Sequence, residues 1–293
     1  MVGSRARAAG ALACATLALA GCGTDEAPTP VTVTSTSYIP PAQAPAPPPA
    51  APPAPPSPVD ATDAQSLLDA TVADTVASFG GQLGAATLAE AGPIAAGFTD
   101  ASPAWSTIKV PIAVATMRTH PELADSVRAA ITLSDNNAAE LMFATVGPEP
   151  VDTVLAEAGL DAAVNTVKVR PEFSTFGQTA LGVADEAALA DHLACLAGAA
   201  DVLSLMGQVD DSQAYGLGSV GALFKGGWGP DAAGMYQVRQ LGLMPRGDGT
   251  FAPVALTALP ADGSYATGQA MLNAAAQQLA ANAVALPVAS CQP

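Results

Sequence analysis

Trp105-Ser106-Thr107-Ile108-Lys109-Val110-Pro111-Ile112-Ala113-Val114-Ala115 is the stretch on which the reading of this chain turns. A helix tolerates proline only near its first turn, so Pro111 predicts a helix that begins close to Ser106 and continues through the apolar residues behind it. An i, i+3 spacing puts Ser106 and Lys109 on one face of that helix. If the turn is buried, desolvation and a second nearby cation both lower the lysine's pKa. A neutral amine beside a hydroxyl can take its proton and make it a nucleophile. The backbone amide of Ser106, at the positive helix end, is placed to stabilise an oxyanion. Taken alone, the same residues also describe a capping serine and a solvated lysine, and Trp105 reads equally as a pocket wall or a core aromatic.

Two further segments tip the balance. The chain has only three lysines, Lys109, Lys168 and Lys225. Lys225 opens Lys225-Gly226-Gly227 near the end of a predicted strand, and Ser134-Asp135-Asn136 lies between the two lysine-bearing segments. The ordered set S-x-x-K, S-D-N and K-T-G marks class A β-lactamases and penicillin-binding proteins. The sequence resembles that serine hydrolase superfamily over residues 60–293, as an actinobacterial-type lipoprotein member of it. The resemblance implies a serine acyl-enzyme at Ser106, with Lys109 as its proton acceptor and Ser134 relaying a proton to the leaving nitrogen. It further implies that Asn136 holds Lys109 and a substrate amide, and that Lys225 supplies positive potential. The amide of Trp228, just past Gly227, would join that of Ser106 in an oxyanion hole. The implied substrate is a small molecule or peptidoglycan-derived peptide, an amide or ester bearing a carboxylate, and no cofactor or metal is called for.

The sequence departs from that pattern in three places. Gly226 stands where the third motif has threonine or serine, which removes a hydroxyl for the substrate carboxylate. The interval between Ser106 and Ser134 is short, so the helical region reads as reduced. Deacylation in the family uses a loop glutamate, for which Glu172 in Arg170-Pro171-Glu172 is the candidate; the other reading of Glu172 is an exposed loop acid. A second function therefore stays open beside the hydrolase, a catalytically reduced binding or scaffolding lipoprotein of the cell envelope.

Working outward, residues 60–77 read as a helix with Asp63 as a plausible cap and Leu67, Leu68, Val72 and Val76 at helical spacing. GQLGAATL and AAGFTD read as short strands around an Ala91-Gly92-Pro93 turn. The chain from Ser106 to about Val209 is mainly helical. Strand-like runs return in VGALFKGG, MYQVRQLGLM and PVALTAL, with turns at Trp228–Asp231 and Arg246–Gly249, and Ser264 to Ala283 is a closing helix. The predicted fold class is α/β (α+β), an antiparallel sheet flanked by helices plus a reduced all-helical region, with the site at their junction.

The N-terminus reads as an address. Arg5 and Arg7 precede an apolar run and Leu19-Ala20-Gly21-Cys22, the pattern of an export signal over residues 1–21. Its end resembles a bacterial lipobox, which would make Cys22 the lipidated first residue and anchor the protein to the outer face of the cell membrane, within the envelope; an ordinary cleaved signal is the alternative. Residues 22–59 hold half of the chain's 26 prolines and read as an extended tether of up to roughly 90 Å. Of the four cysteines, Cys195 and Cys291 remain for the folded part. In an exported protein they are expected to pair, the alternative being two unrelated thiols.

Composition excludes other classes. With 26 acidic residues against 10 basic and a net charge of -16, nucleic-acid binding is excluded. Past the signal, no uncharged apolar run reaches the roughly 18 residues of a membrane span. His120 and His192 are too far apart for metal-ligand spacing. GLGSVG follows Tyr215 without a preceding strand, which argues against a dinucleotide site.

Overall fold

The computed structural model describes residues 61–293. The export signal, the lipid site at Cys22 and the proline-rich tether lie outside the described residues. Helix α1 (Ala61–Phe79) buries Ala64, Leu68, Thr71 and Thr75, a stripe at helical spacing, with Leu67, Val72 and Val76 packed partly against the same cluster. Asp63, expected as its cap, instead sits inside the first turn, where its charge suits the helix dipole.

Strands β1 (Gln82–Ala89) and β2 (Gly92–Gly97) form a hairpin. The expected Ala91-Gly92-Pro93 turn is displaced: Gly92 and Pro93 already belong to β2, and Phe98 to Asp100 lie beyond it. Pro93 is tolerated because β2 is an edge strand, where a missing N–H costs no ladder bond. Short strands β3 (Ser102–Pro103) and β4 (Ala180–Leu181) pair with each other. The three closing strands are β5 (Leu223–Pro230), β6 (Tyr236–Pro245) and β7 (Phe251–Leu259). The turn expected at Trp228–Asp231 is also displaced, because β5 runs on to Pro230 opposite Tyr236. The reversal begins at Asp231, whose carboxylate accepts the amides of Ala233 and Met235 at 2.8 and 2.9 Å.

The large sheet is antiparallel throughout, in the order β2-β1-β7-β6-β5. One face is covered by α1 and by α8 (Tyr265–Ala281), which Ser264 caps by accepting from Thr267 N at 3.1 Å. The other face meets α6 (Val183–His192), beyond which lies the helical region. There α2 (Lys109–Thr119) lies among α3 (Ala124–Thr132), α4 (Asn136–Val146), α5 (Pro148–Glu157) and α7 (Ala200–Met206). Every residue of α2 from Lys109 to Thr116 is buried, as befits a central helix apolar on all sides. Cys195 and Cys291 form a disulfide with Cα atoms 5.5 Å apart, fixing the C-terminal tail beside the end of α6. Asp191 adds a bond from Ser290 N at 2.9 Å. No helix among the described residues is long and apolar enough to cross a membrane.

Candidate active site

Ser106 enters through a 3₁₀ turn, Trp105–Ile108, and not through the first turn of an α-helix as expected; α2 starts at Lys109. Pro111 is then the third residue of α2, where its missing donor is one of the unpaired N–H groups of any helix start. Trp105 has φ +52° and Ser134 φ +57°. For non-glycine residues this left-handed backbone costs about 1–3 kcal/mol each and persists only where the surroundings impose it. Trp105 lines the cleft, and Ser134 presents its carbonyl to Lys109 and its hydroxyl to Lys225.

Lys109 is 1% exposed, and its amine is held at 2.6 Å from Ser134 O and 2.7 Å from Asn136 Oδ1. A third, longer contact reaches Ser134 Oγ at 3.4 Å. Asn136 opens α4, which Asp135 caps by accepting from Ala138 N at 2.8 Å, so the loop between α3 and α4 delivers both partners of the lysine. Burial lowers the Lys109 pKa to about 8, against the opposing fields of Asp135 and Glu140. A neutral Nζ–H₂ group donates to Ser134 O and Asn136 Oδ1 and keeps its lone pair free. Ser106 Oγ makes no hydrogen bond among the described residues, so the structure does not pair it with Lys109 as their spacing leads one to expect.

Lys225 enters from β5, fully buried, with its amine 3.0 Å from Ser134 Oγ and 2.8 Å from Gly226 O. Burial, then the charge of Lys109, push its pKa well below the usual lysine value. The expected effect of a second cation thus falls on Lys225, while burial is what lowers Lys109.

The glycines of β5 set how closely the strand approaches Ser106. A Cβ on Gly227 would stand 2.8 Å from both Ala104 O and Ser106 N, and one on Gly229 would meet the Trp105 ring at 2.5 Å. Only glycine admits that contact, which brings the backbone beside Trp228 next to the Ser106 amide. Position 226 is different: a Cβ there meets Tyr215 Oη at 3.6 Å and Gln240 at 3.8 Å, ordinary contacts.

A cleft of about 450 Å³ opens over these groups, lined among others by Ser106, Lys109, Asn136, Glu140, Glu172 and Trp228. Trp105, left between pocket wall and core by its sequence, is both: it lines the cleft, is 8% exposed and donates from Nε1 to Gln237 Oε1 at 3.1 Å. Phe173 stands edge-on to it at 5.1 Å, under the Arg170 guanidinium at 4.5 Å. Glu172 reaches the cleft but is exposed, with one oxygen accepting from Arg170 Nε at 3.0 Å and Nη2 at 2.7 Å. Its own backbone amide and Arg170 hold its pKa below the usual carboxylate value.

Beneath Ser106 lies a polar cluster that the sequence did not announce. Arg239 of β6, fully buried, donates to Ser102 O at 3.1 Å, Pro103 O at 2.9 Å and Leu181 O at 3.1 Å. It also pairs with the equally buried Glu186 at 2.9 Å, and Glu186 meets the hydroxyl of Thr107. This pair clamps the strand entering Trp105 to β4 and α6. Arg170, Phe173, Glu140 and the Arg239–Glu186 pair are the site-bordering residues missed by motif reading. Glu140 alone carried a signal, standing one helical turn beyond Asn136.

No protein-family model and no curated protein matches the chain. Solved structures do. A class A β-lactamase from Mycobacterium abscessus superposes with TM-score 0.60 at 14% identity, covering 73% of this chain and 98% of that one. A β-lactamase from Sphaerobacter thermophilus gives 0.59 at 20%, covering 75% and 98%, and one from Chitinophaga pinensis gives 0.59 at 16%, covering 76% and 99%. At these identities the likeness establishes a β-lactamase-like fold and nothing finer.

Proposed function

We propose that this protein is an exported serine hydrolase, lipid-anchored through Cys22, that forms an acyl-enzyme at Ser106. Its substrate is an amide or ester bearing a carboxylate, a β-lactam or a peptidoglycan-derived peptide. The observation that carries the reading is the position of Ser134 Oγ between two buried amines, Lys109 at 3.4 Å and Lys225 at 3.0 Å. A lysine near pKa 8 is neutral in roughly one molecule in ten at pH 7, against about one in two thousand for an ordinary lysine, which suits it to take the Ser106 proton as Oγ attacks the carbonyl carbon. The amides of Ser106 and Trp228 receive the developing oxyanion. Lys109 then passes the proton through Ser134 Oγ to the leaving nitrogen. An entering substrate carboxylate favours the charged form of Lys225, which burial alone disfavours.

Labelling with a fluorescent penicillin tests this. The expected result is a covalent adduct on Ser106 that vanishes in Ser106→Ala. No adduct, together with no esterase activity on small acyl probes, would overturn the hydrolase. That outcome would favour the second reading, an envelope binding module, to which Gly226 points because it offers no hydroxyl to a substrate carboxylate.

A further inference from the structure

We propose that Glu140, on α4, is the base that activates the water hydrolysing the Ser106 ester. The inference rests on the acyl-enzyme reading above and assigns the second half of that cycle.

Water is a poor nucleophile toward an ester near neutral pH unless a positioned group accepts its proton. The two carboxylates lining the cleft are Glu140 and Glu172. Glu172 is committed elsewhere: two Arg170 nitrogens converge on one of its oxygens at 2.7 and 3.0 Å. Arg170 is itself fastened to the Pro230 carbonyl, and its amide is bonded to Gln178 Oε1 at 2.7 Å. Its own backbone amide and Arg170 lower its proton affinity, which makes this carboxylate a weak proton acceptor.

Glu140 has none of these ties. Its carboxylate makes no hydrogen bond or ion pair among the described residues. It stands four residues after Asn136, hence on the same helical face, and Asn136 Oδ1 is 2.7 Å from Lys109 Nζ. The field of Glu140 reaches that amine and works against its deprotonation. Helix α4 is firmly seated, with Asp135 capping its start and Ala139 and Met142 in the core. The acid is therefore carried by a firmly seated helix at an exposed position of the cleft wall.

The step balances without a further reactant. The water oxygen bonds to the acyl carbon while Glu140 takes one of its protons. The tetrahedral intermediate collapses, the bond from the acyl carbon to Ser106 Oγ breaks, and Oγ recovers a proton through Lys109, itself resupplied from Glu140. The products are a carboxylic acid and the free serine.

The test compares wild type, Glu140→Gln and Glu172→Gln, following the benzylpenicillin adduct on Ser106 by intact-protein mass after excess ligand is removed. Glu140→Gln is expected to accumulate an adduct that persists roughly a hundred-fold longer than in wild type. Because Glu140 is exposed, its thermal midpoint should not move. Loss of the carboxylate should also shift the pH midpoint of acylation downward from about 8, an effect that a merely structural role would not produce. Glu172→Gln should lose its adduct at close to the wild-type rate. Equal adduct lifetimes in wild type and Glu140→Gln would overturn the proposal, as would a long-lived adduct confined to Glu172→Gln. Absence of any adduct in all three proteins would instead bring down the acyl-enzyme reading, and this assignment with it.

Discussion

Lys225 Nζ lies 3.0 Å from Ser134 Oγ although 91 residues of chain separate them. One comes from an edge strand of the sheet and the other from a loop of the helical region, so the contact exists only because the two regions meet at this cleft. On the far side of the same hydroxyl is Lys109, and the two amines share one buried environment. Burial lowers the proton affinity of both amines, and the charge of Lys109 lowers that of Lys225 further.

A pH profile follows from that response. In the proposed mechanism the neutral form of Lys109 is the base, and its fraction grows as pH rises through about 8. The rate of penicillin labelling should therefore climb with pH, with a midpoint near that value, and level off above it. Lys109→Ala should lower the rate by roughly 10²–10⁴ while circular dichroism shows the fold retained. A flat profile, or unchanged labelling in the variant, would remove Lys109 from this role.

Gly227→Ala probes the approach of β5 to the nucleophile. A Cβ placed 2.8 Å from Ser106 N cannot be accommodated without moving the strand or the 3₁₀ turn. Displacing one oxyanion donor costs about 10²–10³ in rate. Acylation should fall by that order while the protein still folds, since the steric conflict is confined to the cleft. Wild-type labelling by Gly227→Ala would mean that the amides at Ser106 and Trp228 do not act together.

How much of this was legible beforehand depended on whether chemistry or packing chose the residue. Ser106 and Lys109 stood out through their spacing, Ser134, Asn136 and Lys225 through the motifs that carry the resemblance, and the structure brings Lys109, Ser134, Asn136 and Lys225 into contact with Ser106 on the wall of the adjoining cleft. The sheet and its helices followed from alternation and helical periodicity. Strand limits did not: Gly92-Pro93 and Gly229-Pro230 look like turns, yet both pairs sit on edge strands, where the sheet tolerates them. Arg239 was invisible for another reason. Nothing within MYQVRQLGLM marks an arginine for burial, and only the tertiary fold supplies Glu186 from α6 and the carbonyls that make it possible.

That buried pair should be costly to break. Glu186→Ala leaves the Arg239 charge enclosed with its carbonyl partners alone, a change that typically costs about 3–5 kcal/mol. In a domain of this size the thermal midpoint should fall by on the order of 10 °C. Calorimetry measures it directly; a shift within a degree or two would show that the carbonyls of Ser102, Pro103 and Leu181 suffice for the guanidinium. Because the same carboxylate meets Thr107, the residue after Ser106, labelling of Ser106 should slow in parallel.

Gly226→Thr tests whether this glycine limits the site. The position has an ordinary backbone conformation, and an added Cβ meets its nearest neighbours, Tyr215 Oη and Gln240, at 3.6 and 3.8 Å, so the substitution should fold without strain. Threonine supplies one hydroxyl on the Tyr215 and Gln240 side of β5, one residue beyond the lysine whose charge a substrate carboxylate would favour. A hydrogen bond to a charged group contributes about 1.5 kcal/mol or more, close to a ten-fold change in an equilibrium constant. The penicillin concentration giving half-maximal acylation should therefore drop about ten-fold in Gly226→Thr, with a smaller change in the limiting rate, because the new contact is made in the bound ground state as well as in the transition state. Esters that lack a carboxylate should respond equally in both proteins. A gain extending to those esters would locate the effect in packing around Tyr215 and not in recognition of the substrate's charge.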